Sequence, residues 1–299
     1  MNLLKSVNVG NWRNYQSYTN KEQISLQRNN LIFTGLESGL GEVTFIYTRY
    51  MEELLEKINE MNQEIRIEDI ETIIEDEVYY TSKIEGAKTT RVRTSQIHNG
   101  AQIDKNNEYS EKMIKNGFEA VKLMNLIGSK EVTHDVLIKV WSILVKDVCE
   151  NEEIRGNYYR IGDVEVGTHN TPEHFKVYEL MNNWISFYNN DKYDEYPFLK
   201  TILLHYAFET IHPFCDGNGR MGRLLINNYL ISRGIESARA VSFSMQIDKR
   251  RSHYDTAFVD SENLYNDCTP FIEYMLEIMY SAFETSLEVQ KNNNELDTR

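Results

Sequence analysis

The residues of this chain best suited to chemistry lie in one stretch from His212 to Arg223, HPFCDGNGRMGR. A histidine can take up a proton near neutral pH and so act as a general base. Asp216 offers the hard oxygen ligand that Mg²⁺ uses beside phosphates. Arg220 and Arg223 are three residues apart and share one helical face, and guanidinium groups match phosphate oxygens. The stretch therefore predicts a site for a phosphate-containing ligand, with a base beside it.

The backbone of this stretch also favours an anion. Gly217 and Gly219 lack a Cβ, so the chain can turn sharply and approach a ligand closely. Successive N–H groups in such a turn form a concavity for anions, and the helix predicted to follow adds the positive end of its dipole. Pro213 should end the preceding helix at His212. Each feature alone is common, and it is their order within one short segment that indicates the site.

Position for position, the stretch resembles the signature of the Fic (Fido) family, His-x-Phe-x-Asp/Glu-Gly-Asn-Gly-Arg-x-x-Arg. The similarity extends over roughly residues 130 to 285. What the resemblance implies is a mainly α fold, with a Fic-type helical bundle as its core and a small β-hairpin flap.

The activity that the resemblance implies is that of a protein adenylyltransferase, which transfers AMP from ATP to a Ser, Thr or Tyr hydroxyl of a target protein. His212 would deprotonate the hydroxyl, Asp216 would hold Mg²⁺ between the phosphates, and Phe214 would fix the loop in the core. The residues expected to bind the nucleotide phosphates are Gly217, Asn218, Gly219, Arg220 and Arg223.

Two further segments resemble parts of the family outside the signature. Residues 250–254 resemble an Arg-rich segment with paired tyrosines near the nucleotide base, with His253 in place of the first tyrosine, so Tyr254 is expected to contact the base. A hairpin flap is expected over residues 163–172, because a short alternating segment lies between Gly162 and Gly167. Its edge could hold a target segment by strand addition. The expected docking residues are Val164, Glu165, Val166, Gly167 and Thr168.

A regulatory segment is predicted more than a hundred residues upstream. Apolar residues recur at three and four over residues 68–85 and predict an amphipathic helix, for which Gly86 is a C-terminal stop. Glu85 then lies at the negative end of the helix dipole, where a carboxylate is unfavourable. The sequence from Thr81 to Gly86, TSKIEG, resembles the Fic inhibitory motif, Ser/Thr-x-x-x-Glu-Gly/Asn. The resemblance implies that Glu85 pairs with Arg223 and inhibits transfer in cis.

Several alternatives stay open at this stage. In some relatives the same glutamate supports removal of AMP, so the chain could be a de-AMPylase or act in both directions. A nucleotide-binding regulatory module without transfer is a further alternative, although the intact His212 favours an enzyme. The sequence leaves open the nucleotide donor, the target protein, self-modification and homo-oligomerisation.

Composition agrees with a cytoplasmic enzyme. The formal net charge of −14 argues against a general nucleic-acid surface and offers no attraction to anionic lipid. The three cysteines show no spacing typical of disulfide frameworks or zinc sites. The first residues lack the apolar core of a signal peptide, and no apolar run is long enough to predict a membrane span. ATP and Mg²⁺ remain the implied substrate and metal, and a protein bearing an exposed hydroxyl remains the implied partner.

The predicted organisation is mostly helical. We expect an N-terminal helical region over residues 1–106 with the inhibitory helix at about 68–86, a Fic catalytic domain over 107–290, and a frayed tail over 291–299. Residues 1–40 are polar and predicted to be irregular, and residues 91–107 are predicted to be a polar connector. Thr133 and Thr269 are predicted N-caps. Helices are expected over residues 42–60, 68–85, 107–126, 133–148, 174–188, 198–211, 220–232 and 269–283.

Overall fold

The computed structural model describes residues 4–8, 20–128, 131–149, 159–166, 169–264 and 266–297, and the fold within these ranges is mainly helical. We number the α-helices in chain order. They are α1 (Asn20–Asn30), α2 (Arg49–Glu64), α3 (Ile70–Ile84), α4 (Arg91–His98), α5 (Glu108–Ile127), α6 (His134–Leu144), α7 (Val177–Asn189), α8 (Pro197–Ile211), α9 (Asn218–Ser232), α10 (Phe243–Lys249), α11 (Arg251–Asn263) and α12 (Thr269–Asp297). Within the described ranges, 3₁₀ segments also occupy Lys105–Asn107, His174–Lys176 and Glu236–Ala240.

Two small antiparallel hairpins accompany the helices. Strands β1 (Ile32–Ser38) and β2 (Gly41–Phe45) pair near the start of the described chain, and β3 (Glu165–Val166) pairs with β4 (His169–Asn170) where the flap was expected. The prediction of a mainly α fold with a small β-hairpin flap is confirmed.

Helix α8 lies at the centre of the core. Nearly all of its side chains are buried because it is apolar on every face, as expected for a helix surrounded by others. Helix α9 packs along it and α12 and α7 cover its other sides, while α3 packs against α5, α9 and α10. The end of α8 and the start of α9 are thereby held in fixed relation, and the loop between them carries the sequence signature.

The beginning of the chain departs from the prediction in two places. The helix expected over residues 42–60 begins only at Arg49, because Gly41–Phe45 is a strand paired with β1. Thr44 also exchanges backbone hydrogen bonds with the segment before α12, through Asn266 and Cys268. Tertiary pairing overrides the local helical pattern here. Residues 1–40 were predicted to be irregular, but their described part includes α1 and β1.

Three further segments are more helical than predicted. The connector expected over residues 91–107 contains α4, which is capped by the Thr90 side chain and tied to α3 by ion pairs from Arg91 to Glu75 and Asp76. The segment after residue 240 forms α10 and α11, which were not predicted as helices. The tail predicted to fray over 291–299 continues α12 as far as Asp297.

The Thr133 N-cap is confirmed, since its side chain accepts the Val136 N–H.

The described part of the chain contains no helix that is both long enough and apolar enough to cross a bilayer.

Candidate active site

His212 occupies the turn that ends α8. Its backbone adopts the left-handed region, with φ 50° and ψ 61°, and its N–H closes the helix on the Phe208 carbonyl. The ring Nδ1 lies 3.3 Å from the Glu209 carbonyl oxygen. A carbonyl can only accept, so this contact requires the proton on Nδ1 and leaves the lone pair of the neutral ring on Nε2. The fold therefore presents Nε2 as the basic atom of the site.

The loop after His212 is closed by its own side chains. The Asn218 amide accepts the Phe214 N–H at 2.9 Å and donates to the Phe214 carbonyl at 2.7 Å. The Phe214 ring is fully buried and stacks on Trp141 with ring centroids 4.6 Å apart. Trp141 in turn donates its indole N–H to the Asp216 carbonyl. We expected the Asn218 amide to bind phosphate, but in the structure it holds the loop in shape.

Arg160 joins this loop to the base of the flap. Its backbone N–H donates to the Pro213 carbonyl, and its guanidinium donates to the carbonyls of His212 and Pro172. Burial lowers the pKa of the Arg160 guanidinium, while the nearby Asp163 carboxylate raises it. One buried side chain thus holds the catalytic loop and the flap in a fixed arrangement.

The N-terminal turn of α9 is available to an anion. The first backbone bond within this helix runs from Met221 N–H to the Gly217 carbonyl, so the N–H groups of residues 218–220 have no acceptor within the helix. Arg220 lies beneath this turn with only 2% of its side chain exposed. One of its terminal nitrogens donates to the Leu144 carbonyl and the other lies 3.4 Å from the Asp216 carboxylate.

Asp216 is the carboxylate suited to a metal ion. Its side chain is 38% exposed, and one of its oxygens accepts the Gly217 N–H. Within the described ranges, no group of three or more His, Cys, Asp or Glu side chains converges as a metal site. A single carboxylate beside a triphosphate site fits Mg²⁺, which is commonly held by one or two carboxylates and the substrate phosphates.

Arg223 is held by both ends of the predicted inhibitory motif. Its Nε donates to the Thr81 hydroxyl at 2.8 Å, and a terminal nitrogen lies 2.5 Å from Glu85 Oε1. Only 2% of the Arg223 side chain is exposed, against 30% for Glu85. The two partners lie 138 residues apart in sequence, and the structure brings them together at the C-terminal end of α3.

The electrostatics of this pair favour the ionised forms. Burial raises the pKa of the Glu85 carboxyl, but the Arg223 charge and hydrogen bond outweigh it, so that the pKa lies below its ordinary value. Burial lowers the pKa of the Arg223 guanidinium, but the Glu85 carboxylate raises it by more, so that the pKa lies above its ordinary value.

Gly86 ends α3 with a φ of +88°, as predicted for a C-terminal stop.

Two glycines of α9 make room for carboxylates. A Cβ at Gly219 would collide with Glu85 Oε1, and a Cβ at Gly222 would collide with Glu209 Oε1. Gly219 and Gly222 are three apart and share one face of α9. Two acidic side chains therefore rest on that face, one from α3 and one from α8.

Helix α3 is anchored behind the site by a buried carboxylate. Glu77 accepts the hydroxyls of Ser242 and Ser244 and the Ser244 N–H. Burial raises the pKa of Glu77, although these hydrogen bonds oppose the shift. Nearer the solvent, Lys83 pairs with Asp248 at 2.7 Å. Both contacts tie α3 to α10.

The structure can be compared with two further predicted binding regions, the nucleotide-base contact at Tyr254 and the flap. Tyr254, expected at the nucleotide base, is only 5% exposed, and its hydroxyl lies 2.7 Å from His205 Nε2 inside the core. Its ring packs against Phe258 of α11 and Phe271 of α12. In the flap, Glu165 and Val166 form β3, and the Val164 carbonyl accepts the Thr171 hydroxyl. Gly167 and Thr168 lie outside the described residues.

Sequence reasoning missed several residues that support the site. Trp141, Arg160, Glu77 and Glu209 act through contacts with chain segments far away, and a single sequence gives no periodic signal for such contacts. Gly222 could have been noticed, since a glycine within an apolar helix suggests a close approach.

A Fic/DOC family model matches residues 131–230, which include His212 and the loop that follows it. The chain carries a Fic/DOC domain. The chain is similar to the protein adenylyltransferase Fic of Aedes aegypti, with 27% identity over 233 residues. The matched residues cover 75% of this chain and 43% of that relative. That of Drosophila ananassae is 30% identical over 166 residues, covering 52% and 32% respectively. This chain thus spans less than half the length of the curated relatives it matches.

Solved structures show the same fold around the Fic/DOC domain. A Fic family protein from Desulfovibrio desulfuricans G20 aligns with a TM-score of 0.71 at 22% identity, covering 82% of this chain and 76% of that one. Fic-1 from C. elegans aligns with a TM-score of 0.66 at 17% identity, covering 81% and 73%. The likeness therefore extends well beyond the matched domain, and at these identities it concerns the fold alone.

Proposed function

We propose that this chain is a protein adenylyltransferase that is inhibited by its own helix α3. It transfers AMP from ATP to a Ser, Thr or Tyr hydroxyl of a target protein. The observation that carries the proposal is the 2.5 Å contact of Glu85 with Arg223, in the helix that follows the His212 loop. Similarity to proteins named protein adenylyltransferase Fic supports the reaction class.

The chemistry assigned to this chain is mainly positioning and a single proton transfer. His212 Nε2 takes the proton of the target hydroxyl, whose oxygen attacks the α-phosphorus of ATP while the bond to the β,γ-pyrophosphate breaks. The Nδ1 contact with the Glu209 carbonyl keeps Nε2 in the basic tautomer throughout. The free N–H groups at the start of α9 and the Arg220 guanidinium face the charge on the phosphates.

Asp216 would hold Mg²⁺ beside the phosphates, and the ion would supply charge neutralisation there. The position of Asp216 is fixed by the chain itself, through the Gly217 N–H and Arg220.

Glu85 blocks the site because it pairs with the guanidinium that would otherwise bind the phosphates of the nucleotide. Its carboxylate lies over Gly219 and against Arg223, so the guanidinium cannot reach a γ-phosphate. The motif and the domain belong to one chain, so the inhibition acts in cis. In the active state, the edge of the flap at Val164, Glu165 and Val166 would hold an extended target segment by main-chain pairing. Gly167 and Thr168 are assigned to the same edge by the sequence alone.

The test is a transfer assay with the Glu85→Gly variant and labelled ATP, UTP, GTP and CTP, each with Mg²⁺, with and without cell lysate. We expect labelled protein and released pyrophosphate from ATP, at a rate at least tenfold above wild type, because a charged hydrogen bond of about 1.5–3 kcal/mol no longer holds Arg223. Equal rates in both proteins would remove the inhibitory role.

The matched control is His212→Ala in the Glu85→Gly background. It should abolish transfer while ATP still binds, since binding needs no base. Near-normal labelling by this variant would refute the assignment of His212. If Glu85→Gly instead loses the ability to remove AMP from a labelled protein, Glu85 serves the reverse reaction.

A further inference from the structure

A second carboxyl group rests on the same face of α9 as Glu85, and the proposed reaction does not use it. Glu209 is on the last turn of α8, with its side chain 13% exposed. It rests on Gly222, where a Cβ would collide with its Oε1. Among the described residues, Oε1 finds no hydrogen-bond partner, and the ring Nδ1 of His205 is 3.9 Å away. A buried polar atom left without a partner is costly and calls for a physical explanation.

The surroundings of Glu209 contain one dominant positive charge. Burial raises the pKa of Glu209 most, the Arg223 guanidinium lowers it and the Glu85 carboxylate raises it again, with a net result of about 7. Arg223 therefore interacts electrostatically with two acids and is paired with only one of them, Glu85. When Glu85 leaves, Glu209 remains as a carboxyl group whose charge can stabilise the buried guanidinium.

We propose that Glu209 is a positioning residue for Arg223, protonated while Glu85 holds the guanidinium and ionised when Glu85 leaves. In the open state the Glu209 carboxylate stabilises the guanidinium of Arg223 from the side of α8. The N–H groups that Glu85 has released are then directed towards the nucleotide. Opening of the site is thereby coupled to the release of one proton. This inference rests on the proposed function, because it assigns a mechanism to the release of Glu85.

The other groups around Glu209 keep a constant charge through neutral pH. Burial lowers the pKa of His205 to about 3, so its ring is neutral. Burial raises the pKa of Tyr254 well above its ordinary value, so its hydroxyl is neutral as well. Arg223 remains cationic, and the pKa of Glu85 is held low. The groups that face Glu209 are Glu85 from the end of α3, His205 from α8, Arg223 from α9, and Arg251 and Tyr254 from α11.

The sign of the pH effect follows from linkage. In the closed state the pKa of Glu209 is raised to about 7, and in the open state the loss of Glu85 and the exposure of Arg223 to Glu209 lower it. Opening releases a proton, so it becomes easier as the pH rises towards and above 7. If the open-state pKa falls to the ordinary value of 4.5, the opening equilibrium rises about tenfold from pH 6 to pH 8.

The first experiment measures transfer from pH 6 to pH 8 in four proteins: wild type, Glu85→Gly, Glu209→Gln and the double variant. Dividing the Glu85→Gly rate by the wild-type rate cancels the titration of His212 and of the substrate. We expect this ratio to fall about tenfold from pH 6 to pH 8. The corresponding ratio in the Glu209→Gln background should stay constant. A ratio that is independent of pH in both backgrounds overturns the inference.

The second experiment needs no catalysis. A carboxyl whose folded-state pKa is raised loses its stabilising contribution as the pH rises through about 7. The melting temperature of wild type should therefore fall relative to Glu209→Gln from pH 6 to pH 8. In the Glu85→Gly background this difference should shrink. The exposed Glu179→Gln serves as the matched control and should show no such trend.

The two experiments separate the possible failures. If no variant transfers AMP but the melting temperatures follow the predicted pattern, the proposed function fails and the coupling of Glu209 to Glu85 stands. If Glu85→Gly transfers AMP but the melting difference is the same in both backgrounds, the function stands and this inference fails. Should Glu209→Gln not fold, Glu209→Asp is used in its place and must retain the pH dependence that wild type shows.

Discussion

Arg223 keeps its charge in an almost fully buried position, with 2% of its side chain exposed. A buried charge is tolerated only when it is paired and hydrogen-bonded. If one partner is removed, the remaining buried charge destabilises the folded state by its full desolvation penalty. Thr81 and Glu85 supply those contacts in the closed state. If the proposed inhibition is right, the contacts at this guanidinium contribute to keeping α3 docked.

Thr81→Val tests the weaker of the two contacts to Arg223, the hydrogen bond to the Thr81 hydroxyl. Valine has nearly the same shape but cannot accept the Arg223 Nε hydrogen bond, which spans 2.8 Å in the structure. We expect transfer to rise about tenfold, since a hydrogen bond to a charged group contributes about 1.5–3 kcal/mol. Thr81→Ser keeps the hydroxyl and should behave like wild type. If Thr81→Val transfers AMP no faster than Thr81→Ser and wild type, Thr81 plays no part in the inhibition.

At the scale of single residues, the sequence singled out groups suited to chemistry that the structure brings together, and it missed the residues that hold them in place. His212, Asp216 and Arg223 were expected from a short motif, and they lie together in one loop and one helical turn. The Asn218 amide and Tyr254 were expected at the ligand, yet one closes the loop and the other is buried in the core. A motif lists residue types, whereas the direction of each side chain depends on packing from distant segments.

Helix α3 is the movable element of the account. Besides its packing against α5, α9 and α10, it is held to the rest of the molecule by Glu77, by the Lys83–Asp248 pair and by the contacts at Arg223. Among the α3 side chains that make these polar contacts, Glu77 is the most buried, with 7% exposed. Its oxygens accept from the segment that begins α10, so α3 and α10 should open and close as one unit.

Ser244→Ala tests this anchor. The change removes the hydroxyl that donates to Glu77 Oε1 and leaves a buried carboxylate oxygen without that donor. We expect the docking of α3 to weaken by about 1–3 kcal/mol. Backbone hydrogen exchange over residues 70–84 should accelerate, and basal transfer should rise. Ser252→Ala, at an exposed position of α11, is the matched control. Unchanged exchange in α3 would show that the Glu77 contacts do not hold the helix.

At the scale of elements, periodicity located long helices well and failed where distant pairing decides the conformation. The helix that leads to Glu85 was expected over 68–85 and spans Ile70–Ile84 with Glu85 as its C-cap, since its apolar spacing and Gly86 are local signals. The segment Gly41–Phe45 was expected to be helical, but its conformation depends on β1 and on residues beyond 260. Short helices such as α10 begin at a cap, here Ser242, and carry too few turns for a periodic pattern.

The whole molecule has a core that runs through the boundary predicted at residue 106. Buried residues before that boundary, such as Phe45, Met51 and Ile58, belong to the same apolar cluster as Phe208 and Met279. Helix α2 packs along α12, and β1 packs on α7 and α8. Residues 32–64 are therefore part of the structural support of the Fic/DOC domain.

A continuous core predicts a single unfolding transition. Because α2 and α8 share buried contacts with α12, they should lose structure together. We expect the same midpoint in urea from far-ultraviolet circular dichroism as from tryptophan fluorescence, to which the buried Trp141 and Trp184 report. Two separated midpoints would show that the regions before and after residue 106 unfold independently.

The position of the label in ATP tests the central claim most directly. The Glu85→Gly variant is incubated with Mg²⁺ and ATP labelled either at the α-phosphate or at the γ-phosphate, together with proteins that it modifies. If His212 activates a hydroxyl that attacks the α-phosphorus, only the α-label appears on protein and the γ-label leaves with pyrophosphate. Label on protein from the γ-phosphate, or none from the α-phosphate, would contradict the account.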